Sequence, residues 1–468
     1  MYWTAGIDVK PAFTPPLDPS FQPAALINRR FREMVKESGT GVALKLGVER
    51  ADGSVSTYET VVFGEGNPHF ELNLPYVERI VKFLLWQRGG WRVYVGGPAA
   101  IGQYVQECYR EGGSRAFDAE FMGGVYEHPF TVVICAADAV PGERETSVPL
   151  GRHLDGCRVG FDLGGSDRKC AAVKDGEVIF SEEVVWDPYH ETDPQYHYDG
   201  VVDSIKRAAA HLPRIDAIGG SAAGVYVNNR VRVGSLYRGI RAKDPALFEK
   251  KIAGMFIEIG KQFGVPMEVV NDGEVTALAG SMSLGENPVL GVAMGTSVAA
   301  GYVNKDGNIT GWLNELAFVP VDYRENGPAD EWSGDGGCGV QYFCQQGTAR
   351  IAAQAGMDLG SGKLPTKLVN LQKKMADGDE LAAKVYETVG IEFGYAVAHF
   401  ADFYDMNRLL ILGRVTSGKG GDLVIVKAKE VLEKEFPELA AQITMSTPDE
   451  KMKRVGQSIA AASLPATA

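Results

Sequence analysis

Apolar positions along the chain change period several times, and each change marks an element. Gly41–Glu49 and Val55–Phe63 alternate apolar and polar residues on either side of Ala51-Asp52-Gly53, which predicts a hairpin. Pro75–Trp86 repeats apolar residues at helical spacing, Trp91–Gly96 reads as a strand, Ala99–Glu111 as a second helix and Phe130–Ala136 as another strand. Ahead of them, the Pro-rich residues 11–26 predict an extended arm lying on another part of the molecule. A second block follows a polar linker, residues 141–156. It predicts strands at Arg158–Leu163, Lys169–Val173 and Val178–Glu182, a helix at Tyr198–His211 and a buried strand at Ala217–Ser221. A third block opens near Met267 with a strand, Glu268–Val270, and a helix, Gly273–Leu284. The hairpin Val289–Asn304, helices at Gly339–Ala355 and Leu381–Phe403, a strand at Leu409–Leu412 and helices at Gly421–Glu435 and Asp449–Ala462 complete it. Strands alternating with helices predict an α/β fold. The second and third blocks each wrap a hairpin around a Gly-rich turn, a hint of internal duplication.

Composition narrows the function. The chain has 468 residues, enough for about three domains at roughly 100–200 residues each. Its 60 acidic residues against 47 basic ones give a net charge of −13, which argues against a nucleic-acid or anionic-membrane surface. No apolar run approaches the ~20 residues of a membrane span. The N-terminus lacks a basic segment followed by an apolar one, so a cytoplasmic protein is expected. Cys108, Cys135, Cys157, Cys170, Cys338 and Cys344 are sparse for this length and fit reduced thiols. The 57 glycines show no collagen period and so belong in turns and ligand loops.

Three of those turns carry chemistry. In residues 161–169, Gly164 and Gly165 let backbone N–H groups approach phosphate oxygens, Ser166 adds a donor, and Lys169 follows. Asp162 would repel phosphate unless a cation lies between, so it reads as a Mg²⁺-side carboxylate acting through water. In residues 292–301, Gly295, Thr296 and Ser297 offer similar donors at a strand-to-strand turn. In residues 269–277 an apolar strand ends in Asn271-Asp272 where a helix begins, which points Asp272 into a crevice as a potential base. Each has a plainer reading: the first two as hairpin turns, the third as a helix cap. Residues 95–102 form a further Gly-rich turn that reads as a phosphate loop or as a simple strand-to-helix connection.

Together the three are more specific. DLGGSDRK (162–169) and MGTSVAAG (294–301) resemble the phosphate-1 and phosphate-2 segments of the hexokinase/actin superfold. NDGEVTALAG (271–280), followed by the GTS hairpin, is closest to the ROK family. Residues 219–225, Asn314–Phe318, 412–417 and 456–462 resemble that family's strand after the first helix, sugar-binding segment, adenosine-side loop and closing helix. The resemblance covers about residues 157–465. It implies a two-lobed actin-like ATPase (ribonuclease H-like) α/β fold and ATP-dependent phosphorylation of a sugar hydroxyl, with Mg²⁺. One lobe would span 151–266, completed by a C-terminal helix at 449–465, and the other 267–448. Residues 1–150 stand as an additional N-terminal α/β domain without a counterpart. In this resemblance Asp272 is the general base. Asn271, Asn314, Glu315, Gln346 and Ser221 face the sugar. Gly164, Gly165, Ser166, Lys169, Gly295, Thr296, Ser297 and Gly413 serve ATP. A homodimer is implied.

Departures from the family pattern change the pocket. A His usually lies three residues after the Glu that corresponds to Glu315; Phe318 stands there. The family's second sugar-binding Glu aligns with Gln346. A Cys-rich zinc segment is reduced to Cys338 and Cys344, and no His lies between His211 and His399. Structural zinc needs four ligands, so no zinc site is expected and the two thiols read as packing groups. These changes keep a second function open: a sugar or nucleotide sensor without turnover. A phosphotransferase acting on a non-sugar acceptor is a third. The aromatic, His-bearing residues 186–198 fit either a sugar-stacking loop or a loop docked on the extra domain. The acidic residues 325–337 fit a flap beside the sugar pocket or a solvated loop.

Overall fold

The hairpin around Ala51–Gly53 starts the first sheet of this computed structural model, which describes residues 3–145, 149–448 and 456–467. The first block runs α1 (Ala24–Ser38), β1 (Gly41–Glu49), β2 (Val55–Phe63), α2 (Asn73–Arg88), β3 (Arg92–Gly96), α3 (Ala99–Tyr109), α4 (Ala116–Tyr126) and β4 (Thr131–Cys135). Its sheet has the order β2-β1-β3-β4. The arm is broken by two turns, in which Pro15 O receives the N–H of Asp18 at 3.2 Å and Asp18 O that of Phe21 at 3.1 Å, and it ends at Pro23, which sits at the N-cap where a fixed φ and a missing N–H are tolerated; α1 begins at Ala24. Along the arm, Phe13 N–H donates to Tyr395 Oη at 3.2 Å and Leu17 N–H to Thr388 Oγ1 at 3.1 Å. The glycines of residues 95–102 serve packing: a Cβ on Gly102 would stand 2.8 Å from the Ile134 side chain.

The second block contains β5 (Cys157–Leu163), β6 (Asp167–Lys174), β7 (Glu177–Val185), α5 (Pro194–Ala209), β8 (Ala217–Ala222), the small hairpin β9 (Val225–Val227) and β10 (Arg230–Val233), then α6 (Arg238–Lys243), α7 (Pro245–Lys251), α8 (Met255–Phe263) and β11 (Met267–Asn271). The sheet order is β11-β8-β5-β6-β7, and β11, β8 and β5 are parallel. β11, expected to open the third block, is instead the edge strand of this sheet. A parallel partner for β8 needs a crossover, and the helices of residues 238–263 supply it. The lobe boundary therefore falls after Asn271 rather than before Met267.

The third block holds α9 (Asp272–Leu284), β12 (Val289–Met294), β13 (Val298–Val303), α10 (Gln345–Gln354), α11 (Leu364–Ala376), α12 (Glu380–Ala401), β14 (Arg408–Leu412), α13 (Gly418–Glu435), α14 (Pro437–Gln442), β15 (Thr444–Ser446) and α15 (Gln457–Ala462). Its sheet order is β13-β12-β14-β15. The expected helix Gly339–Ala355 is broken into a short 3₁₀ turn, Gly339–Gln341, and α10. Of the expected closing helix, residues 449–455 lie outside the described residues. α15 returns to the first lobe, where its backbone rests on the sheet: a Cβ on Gly160 or Gly219 would overlap the carbonyls of Ser458 and Ala461. No helix among the described residues is long and apolar enough to cross a membrane.

Apolar contacts join the first block to the third. Buried Phe31, Phe83 and Trp86 belong to the same cluster as Phe393, Phe400 and Phe403, and the rings of Phe83 and Phe403 stack at 3.8 Å.

Backbone meets backbone where α9 crosses the β12–β13 hairpin. A Cβ on Gly301 would overlap the Gly273 carbonyl, and one on Gly273 would stand 2.5 Å from the Ala300 oxygen. Gly301→Ala is expected to cost about 1–3 kcal/mol through overpacking. Gly124→Ala, in a helix with nothing within 4 Å of the new methyl, is expected to be neutral or stabilising by up to ~1 kcal/mol. Urea unfolding of both variants checks the pair.

Candidate active site

Parallel pairing brings three strand ends to one level: Leu163 of β5 faces Ala222 of β8, and Ala222 faces Asn271 of β11. Crevices outside such carboxyl ends are where ligands bind in α/β sheets. Asp162 lies one residue back on β5, and the buried Ser221 hydroxyl donates to its Oδ1 at 2.7 Å. Ser221, expected to face the sugar, is thus committed to orienting a carboxylate. Asn271 is the N-cap of α9. Its Oδ1 accepts from Gly273 N–H at 2.7 Å, and its Nδ2 donates to the Gly224 carbonyl at 2.7 Å. The capping task therefore falls to Asn271. Asp272 lies one residue further on and accepts from Gly273 N–H at 3.0 Å.

The carboxylates converge. Burial, then the negative charge of Asp162, pushes the Asp272 carboxyl up to about 6. Burial, then Asp272, pushes Glu315 up to about 7. A carboxyl near 6 is poised between its two protonation states close to neutral pH, which suits a general base.

The first block positions Glu315. The last turn of α2 leaves carbonyls without helical donors. Trp86 O receives the N–H of Glu315 at 2.8 Å, and Gln87 O that of Asn314 at 2.9 Å. Asn314 adopts φ 51°, a left-handed conformation that Asn tolerates better than most residues. Its buried side chain donates to the Glu274 carboxylate and accepts from Tyr404 Oη at 2.8 Å. Asn314, like Ser221, orients a neighbour instead of facing an open pocket. Burial pushes the Glu274 carboxyl up to about 8. Phe318 stacks on Trp86 at 4.1 Å, so where the family pattern has a polar ring this chain has an aromatic contact with α2.

Beneath that stack lies a buried ionic cluster. Lys82 Nζ is 3.0 Å from Asp335 and 3.2 Å from Asp118. Arg79 bridges Glu78 at 2.7 Å and Asp335 at 2.9 Å. The acidic loop 325–337 is therefore anchored by Asp335, while Trp332 is exposed. Cys338 and Cys344 are buried, and the Cys344 thiol donates to the Val340 carbonyl at 2.9 Å. Among the described residues no group of His, Cys, Asp and Glu is arranged to hold a metal.

The phosphate-type turns differ in character. β12 and β14 run parallel with Ala293 opposite Leu412, which puts Met294, the residue before Gly295, beside Gly413. Gly413 has φ 96°, and a Cβ there would overlap the Met294 backbone. Thr296, Ser297 and Gly413 are exposed, and Gly295 O receives the N–H of Gln345 at 3.0 Å, which seats α10 behind the turn. Gln346, on the next residue, accepts from Gln341 Nε2 at 3.4 Å. A cavity of about 280 Å³ separates Asp272 and Thr276 from Ala293 and Leu412.

The 164–166 turn is half-buried at its glycines and exposed at Ser166. Trp186 Nε1 donates to Gly164 O at 2.8 Å, and Tyr189 lies so close that a Cβ on Gly165 would overlap its hydroxyl. Ser166 Oγ donates to Asp167 Oδ2 at 2.8 Å, and Lys169 Nζ stands 3.7 Å from Asp167. The aromatic loop thus buttresses this turn. Tyr404 and Glu274 escaped the sequence reading. Only Glu274, three residues after the Asn271 cap, carried a local signal.

The ROK family model matches residues 158–462. The ROK hexokinase from Thermus thermophilus superposes with a TM-score of 0.52 at 17% identity, covering 65% of this chain and 96% of that one. A ROK family transcriptional regulator, a homologue of the E. coli MLC protein, gives 0.51 at 18% identity over 66% and 78%. A ROK family glucokinase from Streptomyces griseus, in complex with glucose and AMPPNP, gives 0.47 at 19% over 65% and 98%. No match was found among curated proteins. The two-lobed actin-like ATPase fold is shared, and an added α/β block precedes the matched region. With about two thirds of its length matched by the family model, the chain belongs to the ROK family.

Proposed function

We propose that the protein is an ATP-dependent sugar kinase with Asp272 as general base. The observation that carries this reading is the placement of Asp272: at a strand's carboxyl end, beside Asp162 and Glu315, and lining the cleft toward the 295–297 turn. Mg·ATP, when bound, supplies the phosphoryl group and neutralises the charge that builds up in its transfer. The chain fits that pair: Thr296, Ser297 and Gly413 are exposed on the turns that follow Ala293 and Leu412 of the cleft wall, and Asp162 is held by Ser221. Asp272 takes the proton of the attacking hydroxyl. Asn271 and Glu315 orient the acceptor.

Incubation with Mg·ATP and a panel of hexoses, amino sugars and polyols tests the reading, with ADP release as readout and inorganic polyphosphate as an alternative donor. Turnover of one acceptor supports it. A second reading, a sugar sensor without turnover, is favoured by one observation: Asp167 holds the Ser166 hydroxyl and Tyr189 covers Gly165, so this turn presents an anion where phosphate would bind. Silence across the panel, with sugar still raising the melting temperature by linkage, would select the sensor.

The base works deprotonated, so kcat/KM is expected to rise with pH through about 6 and level off above it. Asp162→Asn removes the charge that helps raise that value, so the acid limb of its residual activity is expected to move to lower pH. An unmoved limb would separate Asp162 from Asp272.

A further inference from the structure

We propose that the acceptor site continues past Asn271 into a second chamber, partly walled by the N-terminal domain, which takes the second ring of an uncharged disaccharide or glycoside. The inference rests on the kinase reading for the ring beside Asp272. The chamber is a cavity of about 400 Å³ where three parts of the chain meet: the Arg50–Asp52 turn, the β9–β10 hairpin and the loop that leads into Asn314. Asn271 and Glu274 line it, one face of α9 away from the cleft that Asp272 lines. The volume is that of about thirteen waters at ~30 Å³ each, more than one hexose ring fills.

Four polar atoms of its lining residues are buried without a hydrogen-bond partner: Arg50 Nε, Glu274 Oε2, Thr310 Oγ1 and Trp312 Nε1. Buried polar groups are nearly always satisfied, so four around one cavity mark a place where something polar belongs. They comprise two donors, one carboxyl oxygen and one hydroxyl, a mixture suited to sugar hydroxyls, which both give and accept. The faces of Trp312 are taken, one by Arg88 at 3.3 Å and one by Tyr302 at 4.9 Å. Its N–H edge is what remains for a ligand. Val225, Val227 and Ile309 add apolar wall for the C–H faces of a ring. Charge argues against a phosphorylated ligand: the Arg50 guanidinium is already shared between Ser56 and Glu145, while Glu268 and Glu274 stand on the same wall.

Two variants test the chamber without touching Asp272, Asn271 or Glu315. Trp312→Phe removes the N–H and keeps the stack. Val227→Phe fills the chamber; Val225 and Val227 pack toward the N-terminal side while Tyr226 packs into the first lobe. The probes are glucose, mannose and N-acetylglucosamine against maltose, cellobiose and methyl glucosides, read by ADP release with Mg·ATP and, separately, by calorimetric binding. At least one disaccharide or glycoside is expected to bind the wild type about tenfold or more tighter than its monosaccharide. Trp312→Phe should weaken that binding about five- to tenfold, the worth of one hydrogen bond. Val227→Phe should abolish the preference and leave monosaccharide binding within about twofold. Disaccharide binding that responds to both variants without any turnover keeps the chamber and removes the kinase. Monosaccharide turnover with disaccharides rejected, or a disaccharide preference that neither variant changes, overturns the chamber and leaves the kinase standing.

Discussion

Asp272→Asn is expected to lower kcat by about 10²–10⁴-fold, the usual contribution of a positioned general base. The substitution keeps the size of the side chain. It also leaves the N-cap intact, because Asn271 and not Asp272 closes the first turn of α9. Acceptor binding should therefore persist, which separates this variant from a folding defect. The pH dependence of its stability makes the argument sharper. A carboxyl whose folded-state value is raised, here to about 6, adds stability at low pH that is lost as pH rises through that value. At pH 8 wild-type Asp272 is charged beside Asp162 and Glu315; at pH 4 it is protonated. The Asn variant should match the wild type in melting temperature at pH 4 and exceed it at pH 8. ADP release and a melting series at the two values check both halves. A variant that keeps kcat within threefold would remove Asp272 from the role of base.

Lys82→Met is expected to destabilise the fold by about 3–5 kcal/mol, because removing one partner of a buried ion pair leaves its counter-charge without compensation. Lys82 is fully buried, and among the described residues Asp118 has only the Trp86 indole N–H, at 2.7 Å, to replace it. Asp335 keeps Arg79 and Arg115, so the loss should concentrate on Asp118. Adding Asp118→Asn should then recover part of the loss, and a double-mutant cycle in urea measures how much. The effect should reach the site as well, since α2 carries Lys82 and its last carbonyls hold Asn314 and Glu315. KM for the acceptor is expected to rise more than kcat falls. A loss below about 1 kcal/mol, far under the range for a broken buried pair, would show that the pair is not structural.

Local pattern made parts of this legible. The hairpin Gly41–Glu49 and Val55–Phe63 has the predicted bounds, because alternation and a turn fix it without help from elsewhere. The strand-end position of Asp272 was legible for the same reason: an apolar strand, an Asn-Asp pair and a helix follow one another directly. Residues 225–263 show no readable pattern, since strands of three and four residues and helices of six to nine are too short to show a period. α1 was hidden behind the prolines that precede it. The sheet that β11 joins could not be read locally, because its partner β8 lies some fifty residues earlier and the pairing is tertiary. Ser221 and Asn314 look like ligands in sequence. Their hydrogen-bond partners, Asp162 and Glu274, become visible only once the strands and loops are packed.

The apolar cluster shared between the first block and the third has a mechanical consequence. With no separate core of its own, the N-terminal domain must melt with the second lobe as one cooperative unit, and excising residues 1–150 would strip Glu315 of its backbone anchor while opening Phe393, Phe400 and Phe403 to water. Any hinge between the lobes therefore carries that domain with the second lobe. The first lobe meets it through the β9–β10 hairpin, where Arg232 pairs with Glu127. That ion pair, with its Glu127 side chain 57% exposed, is one of the contacts such a hinge has to break.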